Sequence, residues 1–197
     1  MNFVDPGVVC LSGQNPFMIL FDKPGGTPIN LASLWHIDYA PCGAGSVLFL
    51  GGEMTAGQLR AYTDSAALAR YISGDIYAVN AGPFQRFSAP ELTIIEASFE
   101  RDGDARSSVT ESVNTSTERI ALTWHQFLPP FKGGTAADPK AGRAHAHYAL
   151  YFPARDVSLV VNGTSARGVP IPMKRGERDM TSCGLAWAET WTRAPDV

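Results

Sequence analysis

No run of apolar residues in this chain approaches the ~20 that a membrane-spanning helix requires. The longest, at 17–21 and 47–50, are strand-length pieces. Charge is also scarce: charged residues make up 18% of the 197, against a usual ~25%. With a net charge of −3 and no block of Lys or Arg, the electrostatic footprint of a nucleic-acid or anionic-membrane binder is missing. There are three cysteines, Cys10, Cys42 and Cys183, an odd and widely spaced set without a Cys-x-x-Cys. Such a set suits reduced thiols and a cytoplasmic protein better than a disulfide framework. The opening Met-Asn-Phe-Val-Asp-Pro-Gly has neither a basic start nor an apolar run, so no cleaved leader is expected.

Nucleotide and nucleophile motifs are missing too. Gly43-Ala44-Gly45 lacks a third glycine and precedes a strand where a dinucleotide fingerprint comes after one. No phosphate-binding Gly-x-x-x-x-Gly-Lys-Ser/Thr occurs, and Ser165 lacks the second glycine of a nucleophile elbow.

What is present is a chain with 45% hydrophobic residues, long enough to close one core as a single domain spanning 1–197. Beyond residue 92, β-branched and aromatic segments alternate with turn residues. Strands are expected over 92–100, 107–114, 118–128, 144–152, 156–161 and 183–192. A turn is expected at 101–104, and another at Asn162-Gly163. Short strands at 8–11, 17–21 and 46–50 occupy the first half, and residues 131–143, rich in Gly and lacking an apolar run, read as a mobile loop. One helix is expected over 66–72, capped by Asp64 or Ser65 and ended by Gly74. The fold class implied is mainly β: an antiparallel β-barrel or barrel-like sandwich with one short α-helix.

The most unusual pattern is Ala-His-Ala-His-Tyr-Ala-Leu-Tyr-Phe at 144–152, which holds two of the four histidines. On a strand, residues two apart share a face, so His145 and His147 present two imidazoles together. If the strands at 118–128 and 144–152 form a hairpin, His125 joins them. His36 and Asp38 form a second pair of this spacing, and Glu96 and Glu189 are carboxylates on faces that could turn inward. Leu185, Trp187, Glu189 and Trp191 share one face of the last strand, with the smaller Gly184, Ala186, Ala188 and Thr190 on the other.

Such groups suit acid–base catalysis, since burial shifts carboxyl and imidazole pKa values toward neutrality. The expected catalytic set is His145, His147, His125 and Glu96, with Tyr151, Trp124, Tyr148 and Trp187 contacting ligand. Three imidazoles could equally hold one divalent transition metal, with His145, His147 and His125 as its ligands. Without a metal no cofactor is implied.

The segment 151–157 leading into Val160-Val161-Asn162-Gly163, together with Glu189-Thr190-Trp191, resembles the lipocalin-like barrels of bacterial hydratases and cyclases. The resemblance spans about 40 residues in the last third of the chain and implies a barrel around an apolar pocket. The function expected is acid–base chemistry of hydratase, lyase or isomerase type on a hydrophobic or aromatic metabolite in secondary metabolism. A non-catalytic carrier of a hydrophobic ligand and a metal-dependent enzyme are the alternatives. The partner is a small hydrophobic ligand, with no nucleic acid or membrane and with oligomers open.

Overall fold

The computed structural model describes residues 8–80 and 82–193; the Met1–Gly7 stretch that bears on a leader lies outside them. Four strands come first: β1 (Val8–Phe21), β2 (Pro28–Tyr39), β3 (Gly45–Gly52) and β4 (Leu59–Thr63). Helix α1 (Ala66–Tyr71) starts at Ser65, whose side chain accepts the Leu68 N–H, as the sequence leads one to expect. It does not stop at Gly74. The chain winds on as a π-helix, Ile72–Tyr77, and then a 3₁₀ turn at Pro83–Ser88. The rest is strand again: β5 (Thr93–Glu96), β6 (Ser98–Asp104), β7 (Ser108–Asn114), β8 (Arg119–Phe127), β9 (Phe131–Thr135), β10 (Ala146–Val161), β11 (Thr164–Ser165), β12 (Pro172–Arg175), β13 (Arg178–Thr181) and β14 (Cys183–Arg193).

The strands of the main sheet run in the order β5-β4-β3-β2-β1-β14-β10-β8-β7-β6, with β9 and β11 beside β10. Its two end strands are neighbours in the chain. Only Ala97 separates β5 from β6, and its N–H donates to the Thr63 carbonyl at 2.9 Å. A sheet whose first and last strands are joined by one residue must curl until they meet. The fold is therefore a barrel-like curled sheet, antiparallel apart from the parallel β4–β5 pair.

The inside is packed. Side chains from most strands, among them Met18, Leu34, Leu48, Leu122, Trp124 and Leu185, form one buried cluster. Trp124, expected to contact ligand, is fully buried there and donates its indole N–H to the Phe17 carbonyl at 3.0 Å. Most polar groups enter as paired networks, although the Trp187 indole N–H is buried without a partner among the described residues. Arg60 and Tyr62 on β4 bond Glu118, while His36 on β2 meets Glu111 on β7. A second core lies outside the sheet, where Leu68, Ile72, Ile76 and Phe87 of the helical segment cover Leu31, Trp35, Val47 and Phe49.

Several sequence expectations change. Of the stretch 131–143 expected to be a loop, Phe131–Thr135 forms β9, where a Cβ at Gly133 would meet the Tyr151 ring at 3.1 Å, and the remainder stays outside the sheet with a 3₁₀ turn at Pro139–Ala141. Glycine here permits close strand contact. The separate strands expected at 144–152 and 156–161 are one strand, β10, paired first with β9 and then with β8. The turn expected at 101–104 lies later, at Asp104–Ser107, because β6 runs through Gly103 at φ 85°. Asn162 and Gly163 do turn the chain, at φ 50° and 79°, the positive angles a tight hairpin needs.

In β14 the alternation breaks at Ala188, which sits at φ 49° beside a register shift against both β1 and β10. This bulge rotates the strand beyond it. Leu185 and Trp187 face the barrel core, whereas Trp191 packs on the outer side. Ala188 is exposed, so an Ala188→Val change introduces no clash with a core, and valine is ordinarily favoured in strands. The left-handed backbone predicts the reverse. We expect Ala188→Val to lose about 1–2 kcal/mol in urea unfolding and Ala188→Gly to lose nothing.

Candidate functional site

A cavity of about 350 Å³ lies on the outer face of the sheet. Its floor is built from β1, β14 and β10, through Phe17, Ala186 and Tyr151. Phe84 and Tyr77 of the helical segment form one wall, and Met173 and Arg175 of the β12–β13 hairpin the other. The period-2 pleat explains the floor, since Asn15, Phe17 and Ile19 point outward while Met18 and Leu20 fill the barrel.

Several of the polar groups are held by hydrogen bonds. Trp35 donates its indole N–H to the Tyr77 hydroxyl at 2.7 Å, and Tyr77 in turn donates to Ser33 at 2.7 Å. Burial, with the two bonds opposing it, raises the Tyr77 phenol above its ordinary range. Glu189 is 5% exposed and accepts the Trp191 indole N–H at 2.6 Å. Its other oxygen has no hydrogen-bond partner among the described residues. Burial pushes this carboxyl up to about 7, the Trp191 bond and the Arg175 charge pulling the other way.

His147 stacks on Trp191, ring centres 4.7 Å apart. Arg175 lies 3.0 Å from its Nε2 and also donates to Thr135. A guanidinium can only donate, so Nε2 is the acceptor and Nδ1 carries the proton of a neutral ring. Burial, then the Arg175 cation, lowers His147 to about 4. The Arg175 guanidinium also covers the Tyr151 ring at 4.6 Å, a cation–π contact. The site thus combines a carboxyl poised near neutrality, a neutral imidazole and a fixed cation, walled by aromatic rings.

The expected residues meet this arrangement in part. His147 and Tyr151 line the cavity. His145 lies beside it, edge-on to Trp191, with Nδ1 held by Asn80 at 2.9 Å and its pKa lowered first by burial. His125 does not join them. It faces Asp156 across β8–β10, nine residues further along β10 than His147, about 30 Å at ~3.3 Å per residue. Glu96 is exposed at the end of β5. Tyr148 is exposed as well, on the opposite side of β10 from its neighbour His147. Trp187, turned inward ahead of the bulge, packs on Phe152 at 4.8 Å. Among the described residues, no three His, Cys, Asp or Glu side chains are placed to hold a metal ion. The expected His145, His147 and His125 ligand set is therefore not assembled, since β8 and the first half of β10 do not pair.

Sequence reasoning noticed Glu189 but placed it on the Trp187 face, and it missed Arg175 altogether. The only available signal for Arg175 was the Arg175-Gly176 turn that closes the β12–β13 hairpin. No known protein-family description matches the chain, and no curated protein is found to be similar to it.

The two shifted groups act oppositely on stability. The folded protein binds the Glu189 proton more tightly than the unfolded chain does, so stability falls as pH rises from 4.5 toward about 7. His147 binds its proton less tightly when folded, so stability falls as pH drops from 6.5 toward about 4. Glu189→Gln should therefore raise stability at about pH 8 by roughly 2–3 kcal/mol and leave it unchanged near pH 4, read from urea midpoints across pH.

Proposed function

We propose that the outer cavity binds a small apolar or aromatic molecule with an acidic C–H bond and moves a proton on it, chemistry of the hydratase, lyase or isomerase type. The observation that carries this reading is Glu189, a buried carboxyl at about 7 with one oxygen unpartnered in a cavity that also holds Arg175, His147 and several aromatic rings. A base with that pKa is half ionised at neutral pH, where general acid–base catalysis is most effective. Removing a proton beside a carbonyl develops negative charge on its oxygen. Arg175 supplies the fixed positive charge for it, and the neutral His147 supplies an Nδ1–H donor. Phe17 and Phe84, which line the cavity, offer apolar ring surface for a planar substrate.

The same aromatic walls also suit a carrier that binds without chemistry. Arg175 and Glu189 weigh against it, because an apolar cargo needs neither. The histidine pair is not read as a metal centre, since among the described residues no third His, Cys, Asp or Glu side chain is placed with it to hold an ion.

The two readings separate in deuterated water. A panel of aryl ketones and arylacetones would be followed by proton NMR for exchange next to the carbonyl, with binding read from tryptophan fluorescence. We expect exchange that Glu189→Gln slows by about 10²–10⁴-fold while binding persists. Binding with no exchange would establish the carrier instead, and neither binding nor exchange across the panel would overturn the cavity as a site of this kind.

A further inference from the structure

A second arrangement of catalytic type lies on the other face of the sheet. His36 and Ser46 are directly opposed on β2 and β3, and the Ser46 hydroxyl is 2.9 Å from His36 Nδ1. His36 Nε2 is 3.0 Å from a Glu111 carboxylate oxygen, reached across the barrel from β7. The carboxylate has no exposed surface, whereas about a quarter of the His36 side chain is exposed. An ionised Glu111 can only accept, so His36 carries its proton on Nε2 and Nδ1 accepts the Ser46 O–H. Hydroxyl, imidazole and buried carboxylate thus stand in the order and at the distances of a serine–histidine–acid relay.

Charge compensation alone does not account for this grouping. Arg101 already pairs with the second oxygen of Glu111 through its Nε, which satisfies a buried carboxylate. His36 is an additional partner, and its far nitrogen is aimed at a hydroxyl in a groove. Ser46 is itself fixed, its N–H bonded to Asp64 at 2.7 Å and its carbonyl to the Thr63 hydroxyl at 2.7 Å. The groove encloses about 490 Å³, and Phe99 and Arg101 line it with Ser46 and His36. Arg101 uses Nε on Glu111 and Nη1 on Gln14. Its Nη2 has no hydrogen-bond partner among the described residues.

We propose that Ser46, His36 and Glu111 form a hydrolytic site for small neutral carboxylic esters, separate from the outer cavity. Ser46 Oγ bonds to the ester carbonyl carbon as its proton passes to His36 Nδ1, and the carbonyl π pair moves onto oxygen. Arg101 Nη2 is the donor for that oxyanion. Collapse breaks the ester C–O bond, and the His36 proton leaves with the alcohol. Water then repeats the sequence on acyl-Ser46, releasing the carboxylic acid and restoring the hydroxyl. Phe99 offers an apolar wall to the acyl group, and the Asp64 carboxylate disfavours a negatively charged one. Ser46 and His36 are the catalytic residues, and Glu111 positions the imidazole.

The test uses the whole protein with a fluorophosphonate probe, which a nucleophilic serine attacks with loss of fluoride, and with p-nitrophenyl acetate. We expect peptide mapping to find the label on Ser46, and none there in Ser46→Ala, whose lost hydroxyl removes little from the fold. His36→Gln should slow labelling by about 10²–10⁴-fold. Glu111→Gln should also slow labelling, with circular dichroism checking that each variant is folded. Acetate ester turnover should fall in parallel in Ser46→Ala. A folded wild-type protein in which Ser46 stays unlabelled, or in which labelling ignores His36→Gln, overturns the proposal.

Discussion

Ala97 imposes the constraint on which the rest of the structure depends. As the single residue between the first and last strands of the sheet, it forces the two edges together. Once the sheet curls, the inward side chains must fill the enclosed space, because a void would forfeit dispersion contacts and burial free energy. Trp124, Leu122, Leu185 and their neighbours do so. These side chains pack the barrel interior, and the cavity that holds Glu189 and His147 lies on the outer face, beside the helical segment and the β12–β13 hairpin.

The outer cavity depends in turn on one irregularity. Regular alternation along β14 would carry Glu189 and Trp191 to the same side as Trp187. The left-handed Ala188 adds one residue to the strand, and the outer face receives a carboxyl and an indole that hydrogen-bond each other. Bulges beside sites commonly re-aim side chains in this way. Burial then raises the acid and lowers the imidazole that stacks on the same indole. Both shifts favour the uncharged form, which leaves an ionisable acid beside an uncharged base.

The two sites share strands and use alternate residues of them. Asn15 and Trp35 line the outer cavity, whereas their neighbours Gln14 and His36 line the groove on the other face. The pleat thus separates two polar arrangements by the thickness of one sheet. Each arrangement is held by side chains distant in sequence: Arg175 and His147 in one, His36 and Glu111 in the other.

Local chemistry was legible in the sequence. Alternation and turn residues located β3, β7, β8 and β14, Ser65 started the helix, and Asn162-Gly163 turned the chain, because each signal acts within a few residues. The unusual His145–His147 spacing did mark one edge of the outer cavity, and Tyr151 came from the same face. Register was not legible, because which segment of β10 pairs with β8 is set by the burial of whole faces. That is why His125 meets Asp156 and not the histidine pair. The bulge at Ala188, the strand character of Gly133 and Gly134, and the approach of Arg175 and Glu111 to their imidazoles all arise from contacts between distant segments. The sequence by itself determined a mainly β chain, the Asn162-Gly163 turn, the start of its short helix and one marked face. Only the tertiary structure decided which faces were buried, and so which acids and bases meet, because that choice is made by closing the sheet and filling its interior.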